Sequence, residues 1–474
     1  MKSPPIPKLR KPARQHDREA GVTILLVAAA IVAIMAMAAL SIDVVTLYLA
    51  NAEAQRAADA AALAGARVLS VSGITGDPAN VGNTWQLACA TAAQIAKAVG
   101  QSAQQNSVGG AAGTVTVSFP NNSDTATCSG GGPTAAFGVN PLVTVQVQRT
   151  DLPTFFARIW GRRGAGVSAT ATAEAFNSSN SDLVGNSGAT GTVTPVQPRC
   201  VKPWIVPNFD PGNGPGTLPL VSVANGAINV PGIRIGGAAP GIVGEQFSLF
   251  ADCAVGASCI PPDSTPQANQ TLGSFNGLPP PPTPNLEYVP GQVPSSSTAV
   301  PSCAETSSYQ KAVAGCDQST VYQCGVVNGN TADLSINPGG STGDTATAVQ
   351  CMIHEGAAGA TASGQDTLDN SVYPFRISAG SSNPLGVTGQ ITSSTSIVSL
   401  PIYDSSAGGF GGGGGTTPVT IVGFLQVFIN WVNPDGSVNV TVLNVAGCGN
   451  GAGKNVGNAV SGTSPVPVRL VTPP

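Results

Sequence analysis

Apolar residues fall into two unlike patterns along the chain. From Ala20 to Ile42 they form an unbroken run, AGVTILLVAAAIVAIMAMAALSI, in which 23 residues carry no charge. As a helix this run is about 35 Å long, enough to cross a ~30 Å hydrocarbon core. Helix signals continue past Asp43 through VVTLYLANAEAQRAADAAALAGARVL, with no proline and no glycine before Gly65, so one helix is expected through both parts. In the second part Ala50, Ala54, Ala57, Ala61, Ala64 and Val68 recur at spacings of four and three, with Asn51, Gln55, Arg56 and Asp59 on the other side. Such a seam serves either helix-to-sheet packing within the chain or self-association with a partner helix in or near the membrane.

Beyond this helix the pattern shortens. Residues 113–119 (GTVTVSF), 141–148 (PLVTVQVQ) and 166–176 (GVSATATAEAF) alternate apolar and polar positions like half-buried strands. A helix is expected over TWQLACATAAQIAKAV and a shorter one over DLPTFFARIWG, opened by Asp151 and Pro153 and closed at Gly161. Residues 177–199 are rich in Ser, Asn, Gly and Thr and read as a linker. After Cys200, 11 prolines fall between Pro261 and Pro301, including Pro279 to Pro282, which favours extended backbone. Residues 335–356 read as a loop entering a short helix. Strands are expected at 396–404, 418–432 and 437–445; the 418–432 run is too short to span a membrane and reads as a buried core strand.

Composition sharpens this picture. Charged residues make up 9% of 474, where a soluble globular protein carries about 25%, and the 59 Gly and 39 Pro imply long loops. Lys2, Lys8, Arg10, Lys11, Arg14 and Arg18 precede the apolar run, which places the N-terminus in the cytoplasm by the positive-inside rule. From Ala20 onward 14 basic residues face 22 acidic ones, a balance that excludes nucleic-acid binding by phosphate neutralisation. Ala36-Met37-Ala38 fits a signal-peptidase site, but an h-region is normally about 7–15 residues, so the run reads as a retained anchor. A prepilin leader would be cut at Gly21; the glutamate that such subunits carry at the fifth mature position is here Leu26.

A basic tail, the hydrophobic helix, Asp43, the Tyr48-Leu49 step and the Ala57 to Ala66 block AADAAALAGA resemble the N-terminal segment of TadE/TadG-like proteins of the bacterial Flp (tight adherence) pilus-assembly system. The later string TFFARIWG…VSATATAEA also resembles this family. The resemblance implies an α+β fold class: a transmembrane helix continuing into a membrane-proximal α+β unit, then a loop-rich, β-rich exterior region. The corresponding segments are a basic cytoplasmic tail (1–19), the transmembrane helix (20–42), the α+β unit (43–176), the linker (177–199) and the Gly/Pro-rich exterior (200–474). It implies a single-pass inner-membrane protein that binds lipid and other pilus-assembly or envelope proteins and has no enzymatic role. The von Willebrand metal motif D-x-S-x-S of some relatives is absent from the sequence.

Candidate chemistry is sparse. His354 is the single histidine beyond the anchor, which excludes multi-histidine metal centres. Residues 339–343 match G-x-S-x-G, with Ser341 as nucleophile and Asp344 and His354 following, but the strand that a nucleophile elbow needs is missing. Gly451 to Asn455 lacks the hydroxyl residue of a phosphate loop. No catalytic, cofactor-binding or metal-binding residue is therefore assigned. The alternatives are a membrane-anchored adhesin or binding module and an envelope serine hydrolase using Ser341. All ten cysteines follow the anchor, none in a C-x-x-C pair, and suit disulfides in an oxidising compartment. Cys253–Cys259 and Cys316–Cys324 are close enough in sequence to be local pairs.

Overall fold

A computed structural model of the chain describes residues 19–77, 83–120, 140–154, 156, 161, 164–179, 196–213, 218–237, 241–251, 284–293, 303, 307–316, 322–324, 330–336, 344–361, 363–407, 415–448 and 460–472. The expected continuous helix is present as α1, Glu19–Val71, 53 residues without a break, and it is followed by a 3-10 turn, Ile74–Gly76. The helix expected over TWQLACATAAQIAKAV is α2, Asn83–Gly100. The alternating segments form β1 (Thr114–Ser118), β2 (Leu142–Leu152) and β3 (Ala165–Ala175). Strand β2 runs past Asp151 to Leu152, so Asp151 does not open a helix: its carboxylate is taken by the Arg149 Nε, 2.8 Å away. Most of the remaining DLPTFFARIWG segment lies outside the described residues.

The chain divides into two compact units, one of residues 1–57, 101–114 and 147–169, the other of 58–100, 115–146 and 170–474. In the second unit α1 and α2 approach closely. A Cβ on Gly65 would sit 3.0 Å from Val143 Cγ1 and 3.2 Å from Ala96 Cβ, so these neighbours would have to give by a few tenths of an ångström to admit one. The strands join in a sheet of order β1-β2-β3-β17, where β17 is Val468–Val471, antiparallel to β3 with Val468 opposite Ala175.

The rest of the second unit is built on β4 (Val196–Pro198), β5 (Trp204–Pro207), β6 (Gln246–Ala251), β7 (Asn285–Pro290), β8 (Asn330–Asp333), β9 (Thr367–Asp369), β10 (Arg376–Ser378), β11 (Gln390–Ile391), β12 (Ile397–Tyr403), β13 (Thr416–Val419), β14 (Ile421–Val432), β15 (Val438–Gly447) and β16 (Val460–Gly462). Six of these close a barrel in the order β12-β14-β15-β6-β7-β5. Closure needs two parallel pairings, β6 with β7 and β5 with β12, where Val206 lies opposite Ile402. Two short helices, α3 (Ser308–Ala314) and α4 (Asp344–Ile353), bury Tyr309, Val313, Val349 and Met352 in the same core as the barrel strands. Helix α3 starts on a reciprocal cap between Ser307 and Gln310.

Strand β14 explains why its sequence is a continuous apolar run. Leu425, Val427 and Ile429 enter the main core, whereas Phe424 and Phe428 point the other way into two further clusters. A strand buried on both faces has no polar side to show. The fold class is thus a long apolar helix followed by a β-rich body with a few helices; the closed barrel is the part that the sequence pattern did not announce.

Three disulfides are described: Cys200–Cys316, Cys303–Cys351 and Cys324–Cys448. The local pairing of Cys316 with Cys324 is therefore corrected. Cys324 bridges in β fashion to Ile421 at the start of β14, which brings it to Cys448 at the end of β15, while Cys316 follows α3 back to Cys200. Cys253 and Cys259 lie outside the described residues. Cys89 on α2 is also disulfide-bonded.

Several ionisable groups are buried in the second unit. Glu245 lies against Arg234 Nη2 at 3.2 Å, yet burial and the neighbouring Asp210 carboxylate outweigh that cation and push its pKa up to about 8. Its folded pKa exceeds the ordinary 4.5, so its contribution to stability is complete below pH 4.5 and is lost as pH rises towards 8. Glu355, raised to about 7 by burial, acts in the same sense. Lys202 donates from Nζ to the carbonyls of Val313 and Gly315, each at 2.6 Å, and burial brings it down to about 7, so it opposes the trend only above that pH. Stability is expected to fall by on the order of 3 kcal/mol from Glu245 between pH 5 and 7.5. In Glu245→Gln that part of the slope disappears, leaving the contribution of Glu355. Urea midpoints at the two pH values check it, and an unchanged slope in the variant would contradict the burial of a protonated Glu245.

Candidate membrane helix and its seat

Helix α1 has two surfaces. From Val22 to Leu49 its large apolar side chains, among them Ile24, Leu25, Val32, Ile34, Met37 and Leu40, stand exposed, although water would oppose such a display. From Ala50 onward the small-residue seam is buried: Ala50, Ala54 and Ala57 in the first unit and Ala61 in the second, with Ala64 half-buried. The chain itself thus occupies the seam, the first of the two uses that its spacing allowed, and self-association through Ala50, Ala54, Ala57 and Ala61 would require that packing to open.

Asp43 marks the change of surface. It ends the charge-free run, is 3% exposed, and its Oδ2 accepts a hydrogen bond from the Phe156 backbone N–H at 3.0 Å. Ten residues on, Glu53 Oε2 accepts from the Gly109 N–H at 2.6 Å. Arg149 Nη1 donates to the carbonyls of Val108 and, at 2.9 Å, Gly109. Two carboxylates of the helix therefore hold two loops of the first unit by their backbone N–H groups, bonds stronger than neutral ones. The sequence pattern marked Asp43 as the end of the charge-free run and did not single out Glu53. Their partners lie 113 and 56 positions away, out of reach of any local pattern.

At its far end α1 joins a buried polar knot in the second unit. Asn444 on β15 donates to the Ser70 carbonyl at 2.7 Å and to Thr75 Oγ1 at 3.1 Å, and Asn177 donates to Thr75 Oγ1 at 3.1 Å and to the Val445 carbonyl at 3.0 Å. Ser70 Oγ donates to the Val466 carbonyl. Asn177, Ser178 and Ser179, the first residues after the β3 region, are buried here, and Val196–Pro198 pairs in parallel with β16.

The serine-hydrolase arrangement would require Ser341, Asp344 and His354. Ser341 lies outside the described residues. Asp344 is the first residue of α4 and accepts from Gln310 Nε2 at 3.0 Å, whereas His354 follows the last residue of that helix in a left-handed conformation, φ 60°. Ten helical residues separate them by about 15 Å, so Asp344 does not orient His354. A cavity of about 390 Å³ touches Asp344, Asp333, Ser307 and Tyr309, and His354 is not among its lining residues.

An N-terminal helix long and apolar enough to cross a membrane, carried into a β-rich, disulfide-linked body, defines the class. Residues 21–68, which span the exposed stretch, Asp43 and the buried seam, match the family model described as putative Flp pilus-assembly TadE/G-like. No curated protein and no solved structure matches the chain.

Proposed function

We propose that the protein is a non-enzymatic, membrane-anchored accessory component of a bacterial Flp/Tad pilus-assembly or envelope system. Its basic tail (1–19) lies in the cytoplasm, residues 20–42 cross the inner membrane once, and residues 43–474 lie in the periplasm or beyond. The observation that carries this reading is the coincidence of the TadE/G-like match with the one helix among the described residues that exposes large apolar side chains along 28 residues, Val22 to Leu49. The disulfides support the exterior side, because such bonds persist in oxidising compartments. Its partners in this reading are the lipid bilayer and other pilus-assembly or envelope proteins.

Two arginines in mid-span test it. Each charged residue at the centre of a membrane helix costs about 2.5–3.5 kcal/mol of insertion, so Ile31→Arg with Ile34→Arg is expected to move most of the protein out of the inner-membrane fraction. Adherence pili should be lost in parallel. Retention of the double variant in the inner membrane would sink the anchored reading; normal piliation with the variant displaced would sink the assembly role.

A further inference from the structure

The apolar surface of α1 does not stop where the charge-free run stops. Past Asp43, Val44, Val45, Tyr48 and Leu49 are exposed by 56%, 56%, 75% and 56%. At 3.6 residues per turn these four subtend a sector of roughly 140° centred opposite Asp43, continuous with the exposed side chains before it. On the opposite side the chain covers the helix. Asp43 is buried with its carboxylate on the Phe156 N–H, and Ala36 and Ala39, seven and four residues earlier on the same face, are half-buried while their neighbours are exposed. That cover begins about 10 Å before Asp43, within the apolar run.

From these observations we infer that the lipid-contacting surface runs to Leu49, and that Asp43 and Phe156 are seated in the outer headgroup region of the bilayer. The inference rests on the anchored reading of α1. Val22 to Leu49 measures about 42 Å as a helix, longer than the hydrocarbon core and matched to the ~40–45 Å of a bilayer with its headgroup layers. An acidic residue at that depth is tolerated because its charge is already satisfied by a backbone donor and faces protein, leaving only apolar and aromatic side chains towards lipid. Tyr48 then occupies the level at which tyrosine and tryptophan concentrate in membrane proteins. Polar side chains regain the outward sector with Gln55 and Arg56, both exposed about two turns after Leu49. Lipid, rather than a partner helix, is the occupant because this sector continues the span's own exposed surface and ends where the bilayer thickness ends.

Site-specific photo-cross-linking of the full-length protein in its native membrane tests this. The benzophenone amino acid p-benzoylphenylalanine replaces Val32, Val45, Tyr48 or Arg56 singly, and adducts are identified by mass spectrometry. Phospholipid adducts are expected at Val32, Val45 and Tyr48, with at least a tenfold lower yield at Arg56. Lipid adducts at Val32 with only polypeptide adducts, or none, at Val45 and Tyr48 would overturn the extended surface and leave the anchor intact. No lipid adduct at Val32 would overturn the anchor and this inference together. Lipid adducts at Arg56 equal to those at Tyr48 would overturn the boundary.

Discussion

Replacing Cys324 and Cys448 together by alanine is expected to lower the stability of the barrel region by about 5 kcal/mol. The bridge joins positions 124 apart, and a loop of that length restricts the unfolded chain by roughly that amount. Domains of ordinary stability have about 5–15 kcal/mol in total, so the variant should sit at or near the edge of folding at physiological temperature. The effect is large because this bridge fastens the segment around Cys324, which pairs beside Ile421 of β14, to the end of β15, and both cysteines are buried in the cluster that contains Phe424, Tyr403 and Ile205. Cys303 with Cys351 closes a separation of 48 and should cost about 4 kcal/mol by the same reasoning. Denaturant midpoints of the two double variants under non-reducing conditions, in detergent, provide the comparison. A Cys324/Cys448 variant as stable as the wild type would show that the bridge does not restrain the chain.

Asn444→Ala should destabilise by about 3–5 kcal/mol. The side chain is completely buried on β15, donates to Ser70 and Thr75, and accepts from the Val445 N–H at 2.8 Å. Truncation leaves at least two backbone groups without a partner in a place that water does not reach, each costing about 1–3 kcal/mol, and adds a small cavity. A bulge sets this residue in place. Gln426 pairs with Asn444 and Val427 with Val442, so Leu443 is the extra residue, and Asn444 is re-aimed at the chain leaving α1. Gly73 belongs to the same joint: its φ is +73°, and a Cβ there would lie 2.6 Å from the Leu443 carbonyl and 2.3 Å from Val243 Cγ1. Hydrogen exchange of residues 66–76 separates a local from a global role. Faster exchange there in Asn444→Ala is the expected result, and unchanged exchange together with unchanged stability would remove the knot from the account.

Where the local pattern carried the answer, it did so through repeats that the backbone itself imposes. The 3.6-residue period and the lack of proline gave α1 its length, and the two-residue period gave β1, β2 and β3. The apolar run at 418–432 gave a buried strand, observed as β14 with the short β13 before it. The opening at Asp151 is displaced because β2 continues through both Asp151 and Leu152, while most of the segment that follows lies outside the described residues. Cysteine spacing misled for a related reason. Cys316 and Cys324 are eight positions apart, but they leave α3 and enter the β14 side of the barrel respectively, and chain direction between them is set by pairings made elsewhere.

The candidate site was legible in one half. That 20–42 is an apolar helix, and that a small-residue seam follows, are properties of consecutive residues, because hydrophobicity and helical period are local quantities. Which surface of that helix is free and which is filled is not local. It depends on Phe156 and Gly109 arriving at Asp43 and Glu53, and on Asn177 and Asn444 arriving at Thr75. The same holds for the barrel, whose closure needs Val206 beside Ile402 across nearly two hundred residues. The sequence by itself determined a helix long and apolar enough to cross a membrane, the strand-forming segments and the presence of cysteines for cross-linking. Only the tertiary structure decided the barrel order, the disulfide pairs, the intrachain use of the alanine seam and the apolar face left open to Leu49, because each depends on contacts between residues far apart in the chain.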